Sequence, residues 1–222
     1  ILKVSEAVRN QNKLGRILNI VQHPTIAPPF LKASTIIDCN GRRGLAQSEK
    51  PPSQDPPSTF WPKAMRTDGT ETDISKADGK PNPSVATYVI EEPIGWITAA
   101  TPSTGLLLGY FWRSSDYPWV SHWRDIKNGE PTARGLEFGT TGLHHPFPIL
   151  ATFPLLWGHP TYLYLDANGT TTREYWAFLM KIPSDFKGTG SIRIEPNAIR
   201  LIEKEGQSRR EFSIPLDPSL NP

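Results

Sequence analysis

Glu137 is the most informative side chain in the sequence. In Arg134-Gly-Leu-Glu-Phe-Gly-Thr-Thr141 it alternates with Leu136 and Phe138 and shares its face with Gly135 and Gly139. Glycine weakens a strand and often marks close approach of a ligand or another backbone, so this carboxylate has open space beside it. Such a group can act as a general base; paired to Arg134 or Arg124 it would be structural instead. His23 ends an alternating run and is followed by Pro24, which stops the strand and leaves the imidazole at a strand end. A Glu and a His in different environments can supply one ionised and one protonated group at working pH, which is what acid–base catalysis needs. An isolated histidine at a strand end is also commonly a structural residue.

The densest stretch of reactive and aromatic residues runs from Trp112 to Phe147. It holds Trp112, Trp119 and Trp123, the cations Arg113, Arg124 and Arg134, Asp116, and His122, His144 and His145. Aromatic faces beside guanidinium and carboxylate groups suit a polyol, whose C–H faces stack on rings and whose hydroxyls exchange hydrogen bonds with charged groups. The candidate ligand contacts are therefore Trp112, Trp119, Trp123, Arg113, Arg134, His122, His145 and Asp116. Tryptophan-rich cores are also common in β-sandwiches. Adjacent His144 and His145 would point to opposite faces of a strand and could not easily share one ion with His122, so no metal is expected, and no cofactor. Phe60-Trp61 lies in a proline-rich loop, as an anchor on the core or as a ligand contact. There is no P-loop, no GxGxxG after a strand, no HExxH and no GxSxG, which leaves nucleotide-dependent transfer, zinc proteolysis and α/β-hydrolase chemistry without support.

The elements that must hold these residues are strands. Period-two alternation recurs in Arg16 to His23, Thr87 to Glu91, Leu106 to Arg113 and Thr172 to Ile182, with shorter candidates at Ser191 to Glu195, Ala198 to Glu203 and Glu211 to Leu216. No stretch shows three turns of amphipathic helix. The 23 prolines and 17 glycines in 222 residues argue against a helical bundle or a doubly wound α/β fold. The expectation is an antiparallel all-β sandwich or barrel of nine to eleven strands, with loops at Ser48 to Pro62 and Thr67 to Pro83. A net charge of +2 gives no field that points to nucleic acid or an anionic membrane, and the apolar runs are too short to span a bilayer. The single cysteine, Cys39, excludes an internal disulfide within these residues.

These motifs, taken as a set, resemble the aldose 1-epimerase (galactose mutarotase-like) superfamily. Gly15 to Phe30, with His23-Pro24 at its centre, resembles the segment in which a strand delivers a histidine to the sugar site. Arg134 to Thr141 resembles the later strand that carries the catalytic glutamate. Lys3 to Asn10 looks like the strand before the histidine, which commonly ends in Asn. The resemblance implies a supersandwich over residues 1–222, forming the C-terminal part of a longer domain, with further strands before Ile1 or an open sheet edge there. It implies Glu137 as general base and His23 as general acid in interconverting the anomers of a free sugar or sugar derivative, the small-molecule partner. The expectation is a bacterial-type soluble protein, cytoplasmic or exported, with the compartment left open. Here the histidine is followed by Pro24-Thr25-Ile26-Ala27 and not by the family's aromatic-Asn pattern. Two other readings stand beside it: a non-catalytic carbohydrate-binding domain of the same fold, and a lyase or hydrolase using Glu137 with His122 or His145.

Overall fold

A computed structural model describes the chain except for residues 49, 51, 52, 54, 78, 80 and 205–209; the paired prolines Pro51-Pro52 lie outside the described residues. Two antiparallel sheets form the body. One has five strands in the order Leu2–Arg9, Thr170–Lys181, Leu106–Arg113, Ile94–Thr101, Ile36–Cys39. The other follows the path Val21–Gln22, Glu137–Gly139, Trp119–Lys127, Val85–Ile90, Gly41–Ala46, Thr59–Phe60, with Glu130–Gly135 and Thr25–Ile26 joined to its side. A three-stranded sheet of Thr189–Glu195, Ala198–Glu203 and Glu211–Pro215 makes a further layer.

The five-stranded sheet is the middle layer. Ile97, Ala99, Trp112 and Tyr110 on one face pack with Tyr88, Val120 and Phe138 of the larger sheet. Trp96, Leu107, Phe111, Trp176 and Phe178 on its other face pack with Ile192, Ile199 and Leu201 of the three-stranded sheet. Burial on both faces explains why Leu106–Arg113 reads as an almost unbroken apolar run. A third cluster, Leu45, Val89, Trp119, Leu143, Leu150 and Leu156, forms where the segment after Gly139 folds back over the outer face of the larger sheet. That segment contains the helix Phe147–Thr152, one and a half turns long.

Two expectations change in detail. The run Arg16 to His23 is not one strand: Arg16–Leu18 pairs with Leu163–Leu165, whereas Val21–Gln22 pairs with Glu137–Gly139. Both expected loops hold a short strand: Thr59–Phe60, within Ser48 to Pro62, pairs with Gly41–Ala46, and Glu71–Asp73, within Thr67 to Pro83, pairs with Lys63–Met65. Leu2–Arg9 lies at one end of the five-stranded sheet, an open edge among the described residues. Asn10 closes the turn beyond it, donating from Nδ2 to the carbonyls of Leu14 and Asp166. Among the described residues no helix is long and apolar enough to cross a membrane.

Candidate functional site

The register of the larger sheet brings His23 and Glu137 together. Val21 pairs with Gly139 and Gln22 with Phe138; farther on, Thr25 pairs with Gly135 and Ile26 with Arg134. One unbroken register runs through both pairings, so His23 lies opposite Glu137 and Pro24 opposite Leu136. Pro24 has no N–H to give, and the ladder loses a bond there. Its carbonyl still accepts from Leu136 N at 2.8 Å. The neighbouring His23–Glu137 pair is thus a non-hydrogen-bonded one, the kind in which facing side chains approach most closely. His23 Nε2 lies 2.9 Å from Glu137 Oε1, with the glutamate side chain 2% exposed and the histidine 54% exposed. The imidazole stands between the carboxylate and solvent.

Cross-strand partners extend this face in rows. Glu137 faces Ser121, Ser121 faces Thr87, and Thr87 faces Leu45. Beside that row lie Thr25, Gly135 and Trp123, and His23 Nδ1 is 3.1 Å from Thr25 Oγ1. The Trp123 ring leans toward the imidazole, with centroids 6.0 Å apart. Gly135 makes room for both neighbours: a Cβ there would sit 2.8 Å from Glu137 Oε1 and 3.1 Å from Trp123 Cβ. Burial raises the Glu137 pKa above its ordinary value, and His23 opposes the rise. His144 is depressed, first by burial and then by His23 and His145, which places it near the same pair. Thr25 and His144 were not among the expected contacts. Thr25 was legible as the residue two beyond His23, on the same strand face.

Among the expected contacts, the structure brings Trp123 to Glu137 and His23. Trp119 lies on the same face but is fully buried under Trp157 and His159, with Nε1 donated to Pro160 O at 2.7 Å. Alternation puts His122, Arg124 and Arg134 on the opposite, core-facing side of the sheet. His122 is fully buried, stacked on Trp61 with centroids 4.3 Å apart and lying 3.2 Å from Arg134 Nη2. Burial and the charges of Arg134 and Arg124 push its pKa well down. Arg134 donates to Ile74 O at 2.7 Å, and burial, with Arg124 next to it, pulls its pKa down to about 9. Trp112 is buried between the sheets, stacked on Phe138 at 4.1 Å with Nε1 donated to Tyr117 O. As placed, Trp112, Trp119, His122 and Arg134 have no surface to offer a ligand. Arg113 and Asp116 sit on the five-stranded sheet and the turn after it, in ion pairs with Glu174 and Arg173. His145 lines a separate cleft next to this face. Trp61, the alternative loop contact, is the core anchor of its loop, whereas Phe60 is exposed. Because His122 faces the core, it does not join His144 and His145 as an ion site, and no cluster of three metal-ligating side chains forms among the described residues.

No family model matches the chain, and no curated protein does. Solved structures do. A galactose mutarotase-like protein from Clostridium acetobutylicum superposes with a TM-score of 0.59 at 13% identity, over 81% of this chain and 52% of that one. A galactose mutarotase related enzyme from Lactobacillus acidophilus gives a TM-score of 0.56 at 11% identity, over 82% of this chain and 58% of that one. A TPR-domain containing protein from Parabacteroides distasonis gives 0.50 at 13% identity, over 87% of this chain but 30% of that one. The fold is galactose mutarotase-like, in a divergent form, and the chain spans little more than half the length of the first two structures.

Proposed function

We propose that His23 and Glu137 form an acid–base site that opens and re-closes the hemiacetal of a free sugar, the reaction of an aldose 1-epimerase. The observation that carries the reading is the register that sets an exposed imidazole opposite a buried carboxylate, 2.9 Å away, beside Trp123. Their order in the chain and the fold agree with it. Glu137 removes the proton of the anomeric hydroxyl while His23 gives one to the ring oxygen, and the bond between the anomeric carbon and the ring oxygen breaks. Rotation about the adjacent carbon–carbon bond turns the other face of the aldehyde inward. The same steps in reverse return both protons and give the other anomer. Burial suits Glu137 to this task, because a carboxylate held above its ordinary pKa is a stronger base. The exposed side of His23 leaves the ring free to swing out and admit the sugar, and Trp123 offers a stacking face.

Exchange NMR of free hexoses tests this. The protein should accelerate anomer exchange, and Glu137→Gln should bring the rate back to that of buffer. Equal rates for the two proteins at the buffer level sink the catalytic assignment. One observation favours a second reading, a carbohydrate-binding domain without turnover: His23 and Glu137 touch and leave no gap for a sugar between them. Calorimetric binding of a sugar, lost in Trp123→Ala and unaccompanied by exchange, would establish that reading instead.

A further inference from the structure

The face that carries His23 and Glu137 is roofed in two directions and continues in a third. Toward Gly139, the next row holds Trp119, buried under Trp157 and His159. Across the sheet, Gly142 crosses over Thr87, so close that a Cβ would sit 2.8 Å from Thr87 Oγ1. The remaining direction runs along the strands Trp119–Lys127 and Glu130–Gly135. Ser121 faces Glu137, Arg124 faces Arg134 and Asp125 faces Ala133; one register joins these pairs, so Trp123 faces Gly135. Trp123 and Asp125 therefore follow Ser121 on the glutamate's face. The residues opposite them, Gly135 and Ala133, are too small to overhang either one. Trp123, Ala133 and Asp125 are partly exposed, and Lys127 is exposed. Two residues of strand span about 6.5–7 Å, which puts Asp125 about 13 Å beyond the row of the pair.

Asp125 is held there by a break in the ladder. Asp125 faces Ala133, but Ile126 faces Pro131, and Thr132 is left as an extra residue. A bulge of this kind re-aims a side chain, and such bulges are common beside active sites. Here Thr132 turns its hydroxyl back on Asp125: Oγ1 donates to Oδ2 at 2.6 Å and lies 3.1 Å from the Asp125 carbonyl oxygen. Lys127 Nζ is 3.6 Å from the same Oδ2. Both partners thus sit on one oxygen, and no group among the described residues donates to Oδ1. The bond from Thr132, and then the charge of Lys127, hold the carboxyl below its ordinary pKa against the opposing effect of burial, so it is an ionised acceptor at neutral pH. An ionised carboxylate with one open oxygen, an ammonium beside it and an indole before it match the hydroxyls and C–H face of a sugar ring. The distance from Glu137 to Asp125 exceeds one pyranose ring and suits two linked rings.

We propose that Asp125 and Lys127, with Thr132 as the positioning residue, form a second sugar subsite, so that the ligand of this face is an oligosaccharide whose first ring lies at His23, Glu137 and Trp123. That this first ring is the reducing one rests on the acid–base reading above; the second subsite requires only that the face bind sugar.

Calorimetric titration of the whole chain tests it, with galactose, glucose and mannose set against galactobiose, cellobiose and mannobiose. At least one disaccharide should bind about tenfold or more tighter than its own monosaccharide, a difference of about 1.4 kcal/mol. Asp125→Ala, a change at a partly exposed strand position, should remove most of that gain and leave the monosaccharide unchanged. Thr132→Val should weaken the disaccharide several-fold, and Thr132→Ser, which keeps the hydroxyl, should not. No binding by any of the six sugars, no disaccharide tighter than its monosaccharide, or a full gain retained in folded Asp125→Ala overturns the proposal. Anomer exchange separates the two ideas. If the Asp125-dependent gain is present while wild type and Glu137→Gln alike leave exchange at the buffer rate, the acid–base reading fails and the subsite stands. If wild type accelerates exchange of both sugar sizes equally and Asp125→Ala changes neither binding nor rate, the subsite fails and the acid–base reading stands.

Discussion

Gly135→Ala puts the geometry of the pair to a test that needs no ligand. Gly135 stands beside Glu137 on the ladder, and its missing side chain is filled by two neighbours. An added Cβ would lie 2.8 Å from Glu137 Oε1 and 3.1 Å from Trp123 Cβ. Trp123 Cβ is tied to the backbone of the central strand Trp119–Lys127 and cannot yield far. The carboxylate is the far end of a flexible side chain and must move several tenths of an ångström, away from the new methyl. Overpacking of this kind costs about 1–3 kcal/mol. In a domain of this size, a Tm falls by about 2–4 °C for each kcal/mol. Urea unfolding of four proteins would measure it: wild type, Gly135→Ala, Glu137→Ala and the double variant. With the glutamate side chain removed, the nearest remaining contact of the methyl is Trp123 Cβ, so Gly135→Ala should cost about 1 kcal/mol or more less in that background. If its cost is the same in both backgrounds, Glu137 does not lean over Gly135, and the placement of the carboxylate is wrong.

Glu137 also predicts a pH-dependent difference. Burial raises its folded pKa, so the protonated form favours the folded state. That contribution is fully present below the unfolded value, near about 4.3, and is lost as pH rises through the raised folded pKa. Glu137→Gln should therefore gain in Tm relative to wild type as pH rises from about 4 toward neutrality, and a pH-independent difference would contradict the assigned direction. Trp112 predicts the behaviour of a core residue: Trp112→Ala should cost about 3–5 kcal/mol in urea unfolding. Trp123→Ala, at a partly buried ring, should cost less stability than Trp112→Ala and weaken sugar binding in calorimetry; the reverse outcome would exchange the roles of the two rings.

Part of this site was legible in the sequence because two local signals agree. Glu137 between two glycines and His23 before a proline each mark an interrupted ladder, and the interruptions turn out to face each other. What alternation alone could not supply was parity between strands. Trp123 and His122 are consecutive, and only the pairing of Ser121 with Glu137 decides which of them shares the glutamate's face. Trp112 was ambiguous for a different reason. In Leu106–Arg113 both faces are buried, one against each neighbouring sheet, so apolar content carries no information about which way a side chain points. Trp119 is on the right face, but it is covered by residues about forty positions later, and the covering segment has no period to announce it. The β-rich architecture was more legible than the contacts because turn residues and alternation act locally, whereas layers are decided by long-range packing.

The closed contact between His23 and Glu137 narrows what any opening motion can be. Both residues sit on a continuous register, and Leu136 N bonded to Pro24 O holds the two strands together one position away. Moving the strands apart would break that bond and the pairs on either side of it. Rotation of the His23 side chain breaks the contact to Glu137 and, with the backbone still, the link to Thr25 Oγ1. Glu137, buried under the ring, has no comparable freedom. Access therefore depends on the exposed member of the pair. The same rotation would leave the buried carboxylate without its imidazole partner, and burial, which already raises the Glu137 pKa, would then favour its protonated form further. On the proposed acid–base reading, a sugar hydroxyl that donates to Glu137 as His23 leaves would satisfy the carboxylate, so that opening of the pair and arrival of a polyol would be coupled.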